Sequence, residues 1–376
     1  MATLTQTQPV RTQHHIFVEP QPRTIEIPRP IIQEQPLAAT HLALTVNEQL
    51  QYSLTQVSTP HLDEHEVLLR TKAVGLNPID WKTVEYKFCM PELPWINGRE
   101  CSAIVEGVGS GVKSLSKGQR VWTSTYYRDR RAGCFQDLVV APEHTVIPMP
   151  RGVSFEGAAS LGVCGLTAAM TIWKWFEVPM HRRRQTRSSS RDDRFALIWG
   201  GSTITGQFAI QIAAEAGFKV IAVASERTQR KLLDLGAHHV VARDGKSLAA
   251  IASEIERIGE DKIVLGIDLA SPETAAVGVA CLSKSQSARF APLAMPSPPI
   301  DAPENVEIVN VEMKRFVLDP TSKQYAVRLA SLVGQGRVKL PKVVALAGGL
   351  QDVEAGLRRI RGGDMGGSKL VVRMHG

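Results

Sequence analysis

The chain has 376 residues, of which 43% are hydrophobic and 22% are charged, a composition typical of a soluble globular protein with two domains. No run approaches ~18 uninterrupted apolar residues, so the sequence predicts no membrane span. The net charge is +7, but no aromatic residue stands among the clustered arginines of segment 181–194 to stack on bases, which argues against nucleic-acid binding.

Residues 1–38 carry several prolines and little periodicity, which predicts a poorly ordered extension. The first twenty residues lack an apolar h-region, so a secretory signal is not expected, while their shortage of acidic residues leaves a transit peptide open. The five cysteines are scattered and form no C-x-x-C pair. This usage indicates a reducing, cytoplasmic setting and argues against a structural zinc lobe.

From His41 onward the sequence changes to short apolar strands separated by turns. Segments 66–75, 102–111, 117–122 and 135–140 each have this pattern. They predict a compact β-rich unit that extends to about residue 150.

The period then changes, because segment 157–176 places small and apolar residues at helical spacing. Four apolar strands follow and alternate with helices, which indicates a parallel sheet covered on both faces. Such a sheet binds ligands at the carboxyl ends of its strands. The arginine-rich segment 181–194 is typical of an exposed insertion, with a docking patch for an acidic partner as the alternative.

A glycine-rich turn joins the first of these strands, 195–199, to the next helix. Its first two glycines allow a tight turn, and Gly206 lets the helix pack on the strand, so the helix N-terminus would face a pyrophosphate. A glycine turn without a nucleotide is the alternative. The predicted pyrophosphate site comprises Gly200, Gly201, Ser202, Thr203, Ile204, Thr205 and Gly206.

The following strand ends in a hydroxyl and a guanidinium. Ser225 and Arg227 suit the 2′-phosphate of NADPH, which a carboxylate would repel. Glu226 leaves NADH open, because it could bind the ribose if the register shifts by one residue. The predicted adenosine site comprises Ser225, Glu226, Arg227 and Thr228.

Segments 73–82, 98–109 and 117–121, the cofactor turn and 235–237 together resemble the medium-chain dehydrogenase/reductase superfamily over residues 39–376. Segments 77–82, 200–206 and 366–372 are similar to its zinc-free quinone oxidoreductase branch, and more narrowly to fungal trans-acting enoyl reductases. The resemblance implies an α/β fold in which a GroES-like β-rich domain spans 39–165 and 325–376 returns to it. A Rossmann domain with a doubly wound parallel sheet would span 166–324.

The resemblance also has departures that bear on metal binding. Zinc alcohol dehydrogenases have a cysteine where Asn77 stands and a histidine where Arg99 stands. A guanidinium cannot ligate a cation, so no metal is expected and metal-dependent alcohol oxidation is excluded.

The same resemblance implies that Asn77, Pro78, Ile79 and Asp80 lie along the nicotinamide. Lys82 is then the first candidate to stabilise an enolate or supply a proton, with an exposed strand-end lysine as the alternative. Asp80 would either orient it or cap a turn.

The resemblance implies further contacts with the cofactor and the substrate. Thr167 matches a position that faces the nicotinamide, with a helix cap as the alternative. Arg243 would replace a tyrosine contact to the adenosine, and segment 290–299 could close over an acyl chain. The substrate channel would include Val163, Cys164, Gly165, Leu166, Ala168, Ala169 and Met170. Near the cofactor we expect Leu282, Ser283, Met365 and Gly366.

The sequence therefore predicts an NADPH-dependent, metal-independent enoyl reductase of secondary metabolism. Its substrate would be a small-molecule or carrier-bound α,β-unsaturated acyl thioester, with a polyketide synthase as candidate partner, and the protein would be a cytoplasmic monomer. Two alternatives remain: a stand-alone quinone or enone reductase, and a non-catalytic NADPH-binding protein.

Overall fold

The computed structural model describes Thr3 and residues 38–181, 193–294, 298–363 and 365–375. Nearly all of the predicted extension 1–38, most of the basic segment 181–194 and residues 295–297 lie outside the described residues. The contacts group residues 39–376 into one compact unit.

The β-rich part contains two sheets, both mostly antiparallel. Their strands are β1 (Thr40–Val46), β2 (Tyr52–Ser58), β3 (Glu66–Gly75), β4 (Trp95–Ile96), β5 (Glu100–Val108), β6 (Arg120–Ser124), β7 (Leu138–Pro142), β8 (Val146–Pro148), β15 (Val343–Leu346) and β16 (Lys369–Arg373). The smaller sheet has the order β2-β1-β4, and the larger one has the order β15-β16-β3-β5-β6-β8 with β7 on β3. Because β16 pairs with β3, the C-terminal strand belongs to the larger sheet of the β-rich part.

A six-stranded parallel sheet forms the second part. It consists of β9 (Phe195–Trp199), β10 (Lys219–Ala224), β11 (His239–Ala242), β12 (Ile263–Asp268), β13 (Ala288–Pro292) and β14 (Val306–Ile308). Its order, β11-β10-β9-β12-β13-β14, reverses between β9 and β12, as in the Rossmann fold. The predicted combination of a β-rich unit and a doubly wound sheet is confirmed.

Helices cover the parallel sheet and connect the two parts. They are α1 (Pro78–Glu85), α2 (Phe155–Ala158), α3 (Leu166–Met170), α4 (Ile204–Glu215), α5 (Gln229–Asp234), α6 (Leu248–Gly259), α7 (Pro272–Ala280), α8 (Arg315–Leu318), α9 (Lys323–Gly334) and α10 (Asp352–Arg361). Segments Leu161–Gly165 and Thr171–Trp175 are π-helical, and short 3₁₀ turns occur at Arg130–Ala132, Glu143–Thr145, Glu226–Thr228, Pro320–Ser322 and Gly349–Gln351.

The helical run Phe155–Trp175 lies at the centre of the core. By length and composition alone it could cross a membrane, but 78% of its apolar window is buried inside the protein. Leu161 and Leu166 of this run share one apolar cluster with Trp122 of the first part and Phe208 of the second. The run is therefore a core helix that joins the two parts, and three of its residues, Val163, Cys164 and Thr167, line a cavity.

Candidate active site

A cavity of about 490 Å³ lies at the carboxyl ends of the parallel strands and extends to α1 of the β-rich part. The structure brings most of the predicted cofactor residues to its wall. Those that line it are Asn77, Pro78, Ile79, Ser202, Thr203, Ile204, Thr205, Ser225, Arg227, Thr228, Arg243, Met365 and Gly366. A second space of about 340 Å³, lined by Gly200 and Lys246, adjoins it at Thr203, Arg243 and Leu269.

The turn after β9 has the geometry that a dinucleotide pyrophosphate requires. Gly200 has a φ of +85°, and a Cβ atom on Gly206 would clash with the carbonyl oxygen of Gly200. Thr203 caps α4 by accepting a hydrogen bond from the Gly206 amide at 3.0 Å. The first turn of a twelve-residue helix therefore faces the cavity, where its amides and dipole favour an anion. These residues fit a nicotinamide dinucleotide.

The loop that precedes β16 closes the cavity on the other side. The carbonyl oxygen of Gly367 accepts hydrogen bonds from Gln207 Nε2 at 2.8 Å and from Lys231 Nζ at 2.9 Å. These donors lie on α4 and α5, so the loop is fastened to the cofactor domain. That attachment holds Met365 and Gly366 at the cavity wall.

A buried polar network forms part of the cavity wall. The ammonium of Lys369 lies 2.6 Å from the carboxylate of Glu100 and 2.7 Å from Oδ1 of Asn77. It also donates to the carbonyl oxygen of Leu76 at 3.1 Å. Burial acts to lower the pKa of Lys369, whereas Cys164 and Glu100 raise it, and the net direction is upward. The site thus contains a fixed internal ion pair.

This network fixes the orientation of Asn77. Its Nδ2 donates to Glu100 at 2.9 Å and to the carbonyl oxygen of Gly75 at 3.2 Å, while its Oδ1 accepts from Lys369 and Cys164. The other oxygen of Glu100 accepts from the amide of Val163 at 2.7 Å. The amide group of Asn77 is therefore engaged within the protein, and its contribution to the cavity is mainly steric.

Both predicted catalytic residues line the cavity. Lys82 lies in α1, and not at a strand end, and burial lowers the pKa of its ammonium. Thr167 lies in α3, and Val163 and Cys164 of the adjacent π-helical segment also line the cavity. Two elements of different parts of the fold thus line one space, and the Lys82 ammonium also lies 5.7 Å from the centroid of the Trp81 ring.

Several predicted site residues lie elsewhere. The 163–170 run turns as a helix, so only one side of it reaches the cavity, and the members buried in the core are Gly165, Leu166, Ala168, Ala169 and Met170. Gly201 lies behind the turn, where a Cβ atom would press on Ala222. The side chain of Glu226 is exposed and does not line the cavity.

The expectation that Leu282 and Ser283 lie near the nicotinamide ribose is wrong. The amide of Ser283 donates to the carbonyl oxygen of Ile263, the first residue of β12, so this turn lies at the amino ends of the strands. Residues at the carboxyl ends of the strands line the cavity instead, namely Leu269 and Ala270 after β12, and Leu293 and Ala294 after β13. Sequence reasoning missed those after β12, whereas those after β13 belong to segment 290–299, which was expected to close over an acyl chain. Applying the strand-end rule to β12 would have found the missed pair.

Asp80 caps α1 and is fully buried. One of its oxygens accepts from the Asn77 amide at 2.9 Å, and the other has no hydrogen-bond partner among the described residues. Burial raises the pKa of Asp80 to about 7, although Arg99 acts in the opposite direction. The carboxyl does not line the cavity, so its role is to cap the helix that carries Lys82.

The raised pKa of Asp80 predicts a pH-dependent stability. The folded carboxyl binds its proton more tightly than the unfolded one, so this stabilisation is complete below the ordinary pKa of 3.8 and is lost as the pH rises to about 7. Asp80→Asn lacks this loss. From pH 5 to pH 8, the free energy of unfolding of the parent should therefore fall by about 2–3 kcal/mol relative to that of Asp80→Asn.

Urea denaturation at both pH values measures this difference. Asp234→Asn is the matched control, because its carboxylate is 61% exposed. Parallel pH profiles for Asp80→Asn and the parent would rule out this assignment.

Comparison with known proteins places the chain among oxidoreductases. Residues 63–151 match the family model of the alcohol dehydrogenase GroES-like domain. The chain is 32% identical to the trans-enoyl reductase tazE of Aspergillus terreus over 216 residues, which cover 55% of this chain and 69% of that protein.

Solved structures resemble the fold over most of the chain. The CurK enoyl reductase superposes with a TM-score of 0.74 at 20% identity, covering 89% of this chain and 99% of that one. Mycobacterial Rv1454c complexed with NADPH superposes with a TM-score of 0.70 at 22% identity, covering 89% and 99%. At these identities the likeness concerns the fold.

Proposed function

Because this chain belongs to the medium-chain dehydrogenase/reductase family, we propose that it is an NADPH-dependent enoyl reductase that saturates the C=C bond of an α,β-unsaturated acyl thioester. One observation carries the proposal. The cavity joins the N-terminus of α4, which fits a pyrophosphate, to Lys82 of α1 and Thr167 of α3, which both line it. The chain's similarity to tazE, a trans-enoyl reductase, supports the choice of reaction.

The residues that would hold the cofactor follow from the geometry. The first turn of α4 would bind the pyrophosphate, and Arg227 and Arg243 would attract a 2′-phosphate. When bound, NADPH supplies the hydride that reaches the β-carbon of the acyl group.

The chain's own residues would then act on the acyl group. Hydride addition places negative charge on the thioester oxygen, and the Lys82 ammonium would stabilise it by direct electrostatic attraction. The proton for the α-carbon would come from Lys82 or from the hydroxyl of Thr167, since both residues line the cavity. The apolar side chains of Leu76, Leu293 and Ile360 line the cavity and would exclude water.

The same proposal holds that the reaction requires no metal ion. A divalent cation at Glu100 would meet the Lys369 ammonium already bound to that carboxylate at 2.6 Å. Among the described residues, no group of three or more His, Cys, Asp or Glu side chains could hold a metal ion. The donor set therefore supports electrostatic catalysis by the protein's own cations.

The proposed substrate context is a polyketide-type acyl chain presented on the carrier of a partner synthase, reduced by a cytoplasmic monomer in secondary metabolism. The name of tazE, a trans-enoyl reductase, supports the enoyl-reducing part of this context.

The function is tested by following NADPH oxidation with crotonyl and longer α,β-unsaturated acyl pantetheine thioesters, with NADH and 1,4-quinones as parallel arms. We expect turnover that rises with acyl length and is faster with NADPH. Fast quinone reduction with inert thioesters would identify a quinone reductase instead. Nucleotide binding without turnover in either arm would support the non-catalytic alternative.

A further inference from the structure

The carboxylate of Asp244 reaches the turn where a cofactor's 2′-substituent would lie. Asp244 follows the carboxyl end of β11, the strand that neighbours β10. Its two oxygens accept from Ser225 Oγ at 3.0 Å and from the Glu226 amide at 2.6 Å. A carboxylate therefore sits at the end of β10, although it comes from the adjacent strand.

This contact uses hydrogen-bond donors that a 2′-phosphate would need. A serine hydroxyl has one proton, and Ser225 gives it to Asp244, so its oxygen can only accept from a ligand. The Glu226 amide is also engaged by Asp244, and the Thr228 hydroxyl donates to the carbonyl oxygen of Ser225 at 2.8 Å. A ribose hydroxyl, which is a donor, matches the Ser225 oxygen, whereas a phosphate does not.

The charges at this turn oppose one another. The Glu226 amide and the Ser225 hydroxyl lower the pKa of Asp244, so its carboxylate is ionised at neutral pH. Arg227 and Arg243 are exposed and line the same end of the cavity, where they attract an anion. The net preference for a 2′-phosphate is the balance between two guanidinium groups and one carboxylate.

We propose that Asp244 is the specificity-determining residue of this cofactor site, where it limits the preference for a 2′-phosphate. The inference rests on the proposed function, because it concerns the same nicotinamide dinucleotide. It predicts that the wild-type site discriminates only modestly between the two cofactors and that removing one carboxylate enlarges the preference for the phosphorylated one.

The experiment measures binding and does not depend on turnover. Calorimetric titration of the full chain uses 2′,5′-ADP and 5′-AMP as probes. The variants are Asp244→Ala, which removes the carboxylate, and Asp244→Asn, which keeps an acceptor but no charge. Asp261→Ala is the matched control, because Asp261 also accepts from a backbone amide and a serine hydroxyl, those of Lys284 and Ser285, at the opposite end of the sheet.

We expect Asp244→Ala to bind 2′,5′-ADP about tenfold more tightly than the wild type, with affinity for 5′-AMP changed less than about threefold. Asp244→Asn should show a smaller gain, and Asp261→Ala none. The kcat/KM ratio of NADPH to NADH should rise in parallel.

The inference is overturned if Asp244→Ala binds 2′,5′-ADP no more tightly, if both nucleotides weaken together, or if Asp261→Ala gives the same gain. Failure of the proposed function has a separate signature, since a wild type that binds 2′,5′-ADP but leaves thioesters untouched fails only as an enoyl reductase. A chain in which no variant binds either nucleotide overturns both.

Discussion

Replacing Lys369 with methionine is expected to lower the free energy of unfolding by about 3–5 kcal/mol, because it leaves the Glu100 carboxylate buried without its cation. The side chains of Lys369 and Glu100 are 2% and 0% exposed, so water cannot replace the lost partner. The ammonium also holds Oδ1 of Asn77 and the carbonyl oxygen of Leu76, which would lose a charged donor. Urea denaturation at pH 7 measures the change.

Two further variants separate the ion pair from a general packing effect. Arg358→Met removes a cation from an exposed pair with Glu354 on α10, so the expected loss is below about 0.5 kcal/mol. The double variant Lys369→Met/Glu100→Gln removes both buried charges and should recover much of the loss. If Lys369→Met lowers the free energy of unfolding no more than Arg358→Met does, the Lys369–Glu100 pair does not stabilise the fold.

The parallel sheet could be predicted from the sequence because its strands are short, apolar and separated by turns. Segment 195–199 coincides with β9, and β10 and β11 are the next two of the predicted apolar strands. β9 and β10 bury side chains on both faces, which produces nearly continuous apolar segments that can be recognised without knowledge of tertiary contacts, whereas β11 buries only Val241. The cofactor turn could also be predicted from a local signal, because its glycines and the following helix are adjacent in the chain.

The start of α1 carried a local signal that the sequence prediction did not use. Asn77 is the residue before the helix, Pro78 occupies its first position and Asp80 its third, a pattern typical of a helix N-terminus. The structure places Asp80 as the cap of that helix, which agrees with the turn-capping alternative. Lys82 is thereby turned toward the cavity by helical periodicity.

The buried pair, in contrast, could not be found by local reasoning. Glu100 begins β5 and Lys369 begins β16, far apart in the sequence, and β3 lies between these strands in the sheet. A charged residue at the start of an apolar strand ordinarily faces solvent. Only the pairing of β16 with β3 brings the two charges together beside the cavity.

Lys82→Met is expected to lower kcat for thioester reduction by about 100-fold, because the developing enolate oxygen loses a cation that lines the cavity. Affinity for 2′,5′-ADP should change less than about threefold, since Lys82 lies in α1, away from the adenosine end. Burial lowers the pKa of Lys82, so the wild-type rate should fall on the alkaline side below the ordinary lysine pKa of 10.5. Rate measurements across that range test both statements.

Three comparisons make the role of Lys82 specific. Lys82→Arg keeps a cation and should retain more activity than Lys82→Met, with its alkaline limb moved to higher pH. Thr167→Val keeps the shape of the cavity wall and removes its hydroxyl, so a comparable loss would assign the proton to Thr167. An unchanged kcat and an unchanged alkaline limb in Lys82→Met would show that this ammonium takes no part in the reaction. Because a purely structural lysine would alter stability without moving the pH profile, the alkaline limb is the deciding measurement.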